Sequence, residues 1–238
     1  MGGGPALRLL ALIFIMACDL PRVQTMETIK VGVIVADTSE PVVFDQRCGE
    51  VGGQAESMIE SDEPTEVLVL GLGDATTGDE PRLVVDWSRY APSTKLYGKA
   101  ENTNAPWITA VVERCHASIT PSARSPIYRA VARGVAALRA RCGELARQGQ
   151  LCKPVLVLVS DLIETQESAV AQAVRAKSFD TGELPTLERS GIEIRACGIV
   201  GRAATERPTE IGRLESVWSA VLGDLALAPT CPLWEASP

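Results

Sequence analysis

The chain has 238 residues, of which 46% are hydrophobic and 22% charged, and its formal net charge is -7. That length and apolar content support one domain with a full core and exclude a disordered chain. The negative charge argues against a nucleic-acid surface, because phosphate binding needs a basic face.

At the start, Arg8 precedes an apolar run from Leu9 to Ala17 that stops at Cys18. A spanning helix needs roughly 20 apolar residues, so this shorter run reads as the core of a signal peptide, and export is expected. Ile15-Met16-Ala17-Cys18 resembles a bacterial lipobox. That resemblance implies lipidation of Cys18 and stable membrane anchoring through several acyl chains. The alternative is an ordinary signal peptide cleaved nearby. Asp19 resembles a signal for inner-membrane retention, whereas Met1-Gly2 is a poor myristoylation match with Ala6 at the Ser/Thr position. The domain reading is a signal segment over 1–18, a tether over 19–27, a folded domain over 28–228 and a tail over 229–238.

From Thr28 onward, strand and helix patterns alternate, as in an α/β domain with a mainly parallel sheet. Ile29 to Ala36 is a continuous Val/Ile strand ending at Asp37, followed by a polar stretch with a short helix at Ala55 to Ile59. Glu66 to Leu72 is a second strand closed by Gly73-Asp74. Arg82 to Trp87 reads as a third, reached by a connection short enough for an antiparallel edge. Ser88 to Asn104 reads as a loop. Asn104 then caps a helix with Pro106 in its first turn and an Ile108, Val111, Val112, Cys115, Ile119 stripe. After Ser125-Pro126, Ile127, Val131, Val135, Leu138, Cys142 and Leu145 repeat at helical spacing. Pro154 to Val159 is another doubly buried strand and delivers Ser160-Asp161. A helix over Gln166 to Lys177, a strand over Ile192 to Val200 and a helix over Thr209 to Leu225 complete the order.

Cys18 apart, six cysteines remain, an even set suited to a compartment that permits disulfides. Spacing favours Cys142 with Cys152, between a helix end and the start of a strand. Cys197, inside a strand, reads as a buried free thiol. No pair has zinc-type spacing.

Three motifs in order carry a resemblance. Asp37-Thr38-Ser39-Glu40-Pro41 ends the first strand, Ser125-Pro126-Ile127-Tyr128 opens the mid-chain helix, and Ser160-Asp161-Leu162 follows the fourth strand. Together they resemble the von Willebrand factor A domain and its metal-ion-dependent adhesion site, whose motifs are DxSxS, a Thr or Ser opening a helix, and SDG. The resemblance implies a Rossmann-like three-layer α/β/α fold with an antiparallel edge strand. It also implies a Mg²⁺ site from Asp37, Ser39, Ser125 and Asp161, with one position left for a partner protein's carboxylate. Oxygen ligands of this kind suit Mg²⁺, which prefers octahedral oxygen coordination. Pro41 replaces the second serine, Leu162 replaces the glycine, and the segment before Ser125 lacks the usual Gly-Gly, so the site is degenerate.

Simpler roles exist for the same residues. Asp37 and Asp161 suit strand-end turns, Ser125 suits a helix N-cap with proline at N1, and Asp74 suits a turn. His116 is the only histidine and reads as a solvated helical residue. Gly71-Leu72-Gly73-Asp74-Ala75-Thr76 half-matches a dinucleotide loop but lacks the third glycine. The sequence therefore points to an envelope-anchored protein-interaction module on the periplasmic side, with a protein partner and no enzyme activity. A metal-free structural lipoprotein and a metal-dependent hydrolase using Asp37 and Asp161 are the alternatives.

Overall fold

The computed structural model describes residues 26–37, 44–59, 63–72, 82–91, 94–96, 99–101, 104–118, 125–165, 168–176, 180–188, 191–198, 208–223, 225–228 and 230–233. Cys18, Ser39, Pro41, Asp74 and Ile119 lie outside them. A six-stranded sheet runs in the order β3-β2-β1-β6-β7-β8. Its strands are β1 (Thr28–Asp37), β2 (Thr65–Leu72), β3 (Arg82–Tyr90), β6 (Leu151–Val159), β7 (Glu193–Cys197) and β8 (Ala226–Ala228). Only β3 is antiparallel to its neighbour; the other five strands are parallel. A small hairpin, β4 (Thr94–Leu96) with β5 (Lys99–Glu101), stands apart.

The helices are α1 (Phe44–Ile59), α2 (Ala105–Ser118), α3 (Ile127–Arg147), α4 (Ala169–Arg175) and α5 (Pro208–Leu222). Period-two alternation in the central strands divides the apolar residues into two cores. Val31, Val33 and Val35 of β1 and Leu156 and Leu158 of β6 meet α3, α4 and α5 on one face. Ile34 and Ala36, with Val155, Val157 and Val159, meet α1 and α2 on the other. Helices on both faces of the sheet make the three-layer α/β/α arrangement. Gly134 lets α3 sit close to the sheet, since a Cβ there would lie 2.8 Å from Leu156 Cδ1. At the opposite end of α3, Arg141 grips the buried Glu66 with two bonds of 2.7 and 3.0 Å.

Several elements differ from expectation. α1 begins at Phe44, because its inner face carries the buried Arg47, Glu50 and Gln54 as well as apolar residues. Arg47 bonds Glu50 at 2.8 Å and the Gly198 carbonyl at 3.2 Å, so the charges are paired in place. The stretch expected as a loop from Ser88 holds the end of β3 and the β4–β5 hairpin. α4 starts at Ala169 because the Ser168 hydroxyl accepts from Ala171 N. α5 stops at Leu222, and a strand of three residues, β8, follows it.

Three disulfides use all six cysteines after Cys18. Cys142–Cys152 joins α3 to β6, as spacing suggested. Cys48–Cys115 ties α1 to α2 on one face of the sheet. Cys197 is not a free thiol: it pairs with Cys231, with 5.1 Å between their Cα atoms. Cys197 is the last residue of β7, where the chain is free to meet the returning C-terminal segment. That segment runs against α1 at Gly53, where a Cβ would collide with the Pro232 carbonyl. No described helix is long and apolar enough to cross a membrane.

Candidate functional site

The order of the parallel strands reverses between β1 and β6, and a crevice outside their carboxyl ends is where such sheets place ligands. Register brings Ala36 beside Val159, so the next residues, Asp37 and Ser160, emerge together. α3 runs back along the sheet, which puts the residues before it at the same edge. Asp37 and Ser125 thus come from separate segments into contact, and Asp161 follows Ser160 at the same edge, with one carboxylate oxygen bonded within its own turn.

Hydrogen bonds show how tightly. Ser125 Oγ donates to Asp37 Oδ1 at 3.1 Å, and Ser160 Oγ donates to Asp37 Oδ2 at 3.0 Å. Asp37 is 5% exposed and Ser125 2%. The simple N-cap role for Ser125 is not what the structure has: the N-cap position is Pro126, with no side-chain capping bond. The start of α3 is capped from elsewhere. Glu164, buried, accepts from Tyr128 N at 2.8 Å, placing a carboxylate where the helix dipole favours one. Thr165 completes the clamp, since its hydroxyl accepts from Ser125 N and its own N–H donates to the Ser125 carbonyl.

The 160–165 loop is closed upon itself. Ser160 Oγ accepts from Leu162 N, and Asp161 Oδ1 accepts from Ile163 N, each at 3.0 Å. Leu162 has φ of 63°, a left-handed conformation that favours glycine. It is nevertheless leucine, fully buried in the α3–α5 core. The Trp218 indole of α5 donates to its carbonyl at 2.8 Å. The residue that departs from the SDG pattern therefore keeps the backbone form that glycine would supply.

These contacts sort the hydroxyls by what they can do. Ser160 gives its hydrogen to Asp37 and takes one from Leu162 N, so it serves the loop. Ser125 gives its hydrogen to the same carboxylate, and a hydroxyl so oriented keeps lone pairs for a cation. Among the described residues no group of three or more His, Cys, Asp or Glu side chains is gathered for a metal, so a site here would depend on hydroxyl as well as carboxylate oxygens. Glu164 and Thr165 were not singled out in sequence, because their partners lie 36 and 40 residues away.

Asp37→Asn leaves one oxygen to accept but turns a donor toward the other hydroxyl. A loss of about 1 kcal/mol in stability is expected, the usual scale for one compromised hydrogen bond, read as a lower urea midpoint. An unchanged midpoint would mean that the Asp37 contacts do not hold the site.

Histidine chemistry has little to work with. His116 is exposed on α2, and its neighbour Cys115 is bonded to Cys48 and is not a thiol nucleophile.

No protein-family model matches the chain, and no curated protein matches its sequence. Solved structures do match in shape. The SpaC pilus adhesin of Lactobacillus rhamnosus GG in its open conformation superposes with a TM-score of 0.47 at 13% identity, over 87% of this chain and 28% of that one. A von Willebrand factor type A protein from Catenulispora acidiphila gives 0.44 at 14% identity, over 86% and 39%. Manganese-loaded TRAP protein of Plasmodium vivax gives 0.43 at 11%, over 85% and 68%. The chain thus spans well under half the length of the first two. The strand order, the antiparallel edge and the helices on both faces give this chain a von Willebrand factor A-like α/β/α fold.

Proposed function

We propose that this chain is an exported protein-interaction module that binds a protein partner at the carboxyl edge of its sheet, through a divalent cation held by Asp37, Ser125 and Asp161. The observation that carries the reading is the Ser125–Asp37 hydrogen bond, which sets the hydroxyl just before α3 beside a carboxylate and not on the helix's own N–H groups. Ser39, from the same motif as Asp37, is the fourth ligand of the proposal. The donors are all oxygen, which fits Mg²⁺ or Mn²⁺ better than a softer ion. The cation would supply an anchor for a carboxylate of the partner. Asp37 would hold the Ser125 hydroxyl in its ligating orientation, and the Asp161 turn would set the carboxylate beside it.

Binding suits this arrangement better than turnover. Both hydroxyls at the site donate to the one Asp37 carboxylate, a weaker base than the imidazole that usually activates a serine nucleophile. Export is favoured by the pairing of all six cysteines after Cys18, since disulfides persist in oxidising compartments. Anchoring would rest on lipidation of Cys18 and places the module at the bacterial envelope, facing the periplasm.

The test is calorimetric titration of the oxidised protein with Mg²⁺ and with Mn²⁺, beside Asp161→Ala. Saturable binding that the variant loses is the expected result. Equal heats from both proteins, or none from either at millimolar cation, would remove the metal from the proposal and leave a metal-free interaction scaffold.

A further inference from the structure

On its α1 face the sheet is covered unevenly. α1 packs against β1, β2 and β6, whereas β7 and β8 present Arg195, Ala226 and Ala228 as exposed residues. Register pairs Arg195 with Ala226 and Cys197 with Ala228, so the four share a face, while Leu227 between them packs against the opposite core. Between these strands and α1 lies a groove of about 240 Å³, whose lining includes Ala226, Ala228, Arg195, Gln54, Ser57 and Pro232. In a layered α/β fold, an apolar sheet face left open in this way is an unfinished layer.

The C-terminal segment already reaches this space. The Cys197–Cys231 bridge fixes it at the end of β7, and Pro232 crosses α1 at Gly53 while also lining the groove. Leu233 turns its side chain to Gly49, with Cδ2 3.6 Å from where a Cβ there would stand. Residues four apart on a helix are neighbours on one face, so positions 49, 53 and 57 form a row. Leu233 thus points one turn toward the start of α1, and Ser57 lies one turn the other way, in the groove. The described residues of this segment stop at Leu233, and the next residue is Trp234. In an extended chain successive side chains point to opposite sides, which directs the residue after Leu233 back toward Ser57.

We propose that the Trp234 side chain occupies this groove, so that the C-terminal segment is a strap across the face of β7 and β8 that α1 leaves open. A cavity of roughly 150 Å³ admits a benzene ring, and the larger volume here has room for the two fused rings of an indole. The ring rests on Ala226 and Ala228, and the exposed Arg195 guanidinium at the rim lies over its face, a favourable pairing of cation and aromatic ring. Gln54 gives its amide nitrogen to Cys197 Sγ at 3.5 Å, which leaves its oxygen to accept from the indole N–H. A tryptophan buried on one side and hydrogen-bonded at its nitrogen is how that residue is ordinarily accommodated. The groove is then filled from within the chain, and the carboxyl edge of the sheet remains the surface for a partner. The inference stands independently of the metal site, since no residue is shared.

The experiment measures nuclear Overhauser contacts of the Trp234 indole ring in the intact oxidised protein. Contacts to the Ala226 and Ala228 methyl groups are expected, unchanged on dilution. A mixture of isotope-labelled and unlabelled protein tells whose ring it is: contacts within one molecule support the proposal, and contacts between molecules overturn it by placing a second copy's segment in the groove. Trp234→Ala should lower the urea midpoint by about 1 M, and Trp234→Phe, which keeps a ring, by less. An indole that touches neither alanine overturns the proposal, as does a Trp234→Ala midpoint equal to that of the parent protein.

Discussion

In excess reductant the protein is expected to lose its cooperative urea transition at 25 °C, while the oxidised protein unfolds in a single step. The three bridges close loops of 10, 34 and 67 residues. On the chain-entropy relation these contribute about 3, about 4 and about 4 kcal/mol by restricting the unfolded chain. Their sum, roughly 11 kcal/mol, is comparable to the whole stability of an ordinary domain, about 5 to 15 kcal/mol. The 67-residue bridge is the most telling, because Cys48 and Cys115 are both fully buried between α1 and α2. The double variant Cys48→Ala with Cys115→Ala should lose about 4 kcal/mol, against about 3 for the pair Cys142→Ala with Cys152→Ala. The measurement is the urea midpoint and slope of each form. A fully reduced protein whose midpoint falls by less than the equivalent of about 2 kcal/mol would show that packing of the two cores alone sustains the fold. Loss of the transition would tie the fold to conditions in which thiols stay oxidised.

The elements visible in sequence are those whose surroundings are uniform. β1 and β6 are covered on both faces, so nearly every position is apolar and their ends at Asp37 and Ser160 stand out. α3 keeps one apolar stripe along 21 residues, and its start at Ile127 follows from Pro126. α1 was foreshortened because Arg47 and Glu50 are buried as a pair, and a buried charge reads in sequence as a solvated one. β8 is too short for any periodicity, and its place beside β7 is decided by the sheet. The Cys197–Cys231 bridge depends on where the C-terminal segment returns, which no local pattern states.

The site divides the same way. Asp37, Ser125 and Asp161 carry their own signature as strand-end and helix-opening residues. Ser160 was visible by position, but its commitment to the loop rests on hydrogen bonds. Glu164 and Thr165 look like ordinary polar residues after a strand, and only the approach of α3 makes them its cap and clamp. The tertiary contacts also change the reading of the motif: a hydroxyl that looked like a helix cap belongs to a carboxylate, and the cap is supplied from another segment.

Leu162 offers the sharpest test of how that loop is held. Cutting a fully buried leucine to alanine costs about 2 to 5 kcal/mol, through lost burial and the cavity left behind. Alanine would remain in the left-handed conformation, which costs a residue with a Cβ about 1 to 2 kcal/mol. Glycine loses slightly more side chain but sheds that strain. Elsewhere in a folded chain glycine is the less stable of the two by about 0.5 to 1 kcal/mol. At this position the order should invert: Leu162→Ala is expected to lose about 3 kcal/mol and Leu162→Gly about 2. Urea midpoints of the two variants decide it. If alanine proves the more stable, the strain does not reside in this residue and the loop's form is imposed by its hydrogen bonds alone. If glycine does, leucine is tolerated at a glycine position because its side chain anchors the 160–165 loop in the α3–α5 core. The Trp218 indole would then hold the same residue from the other side, through its carbonyl. The departure from the SDG pattern would be a means of fixing Asp161 in place, and a motif that reads as degenerate would be a site held more rigidly than its sequence suggests.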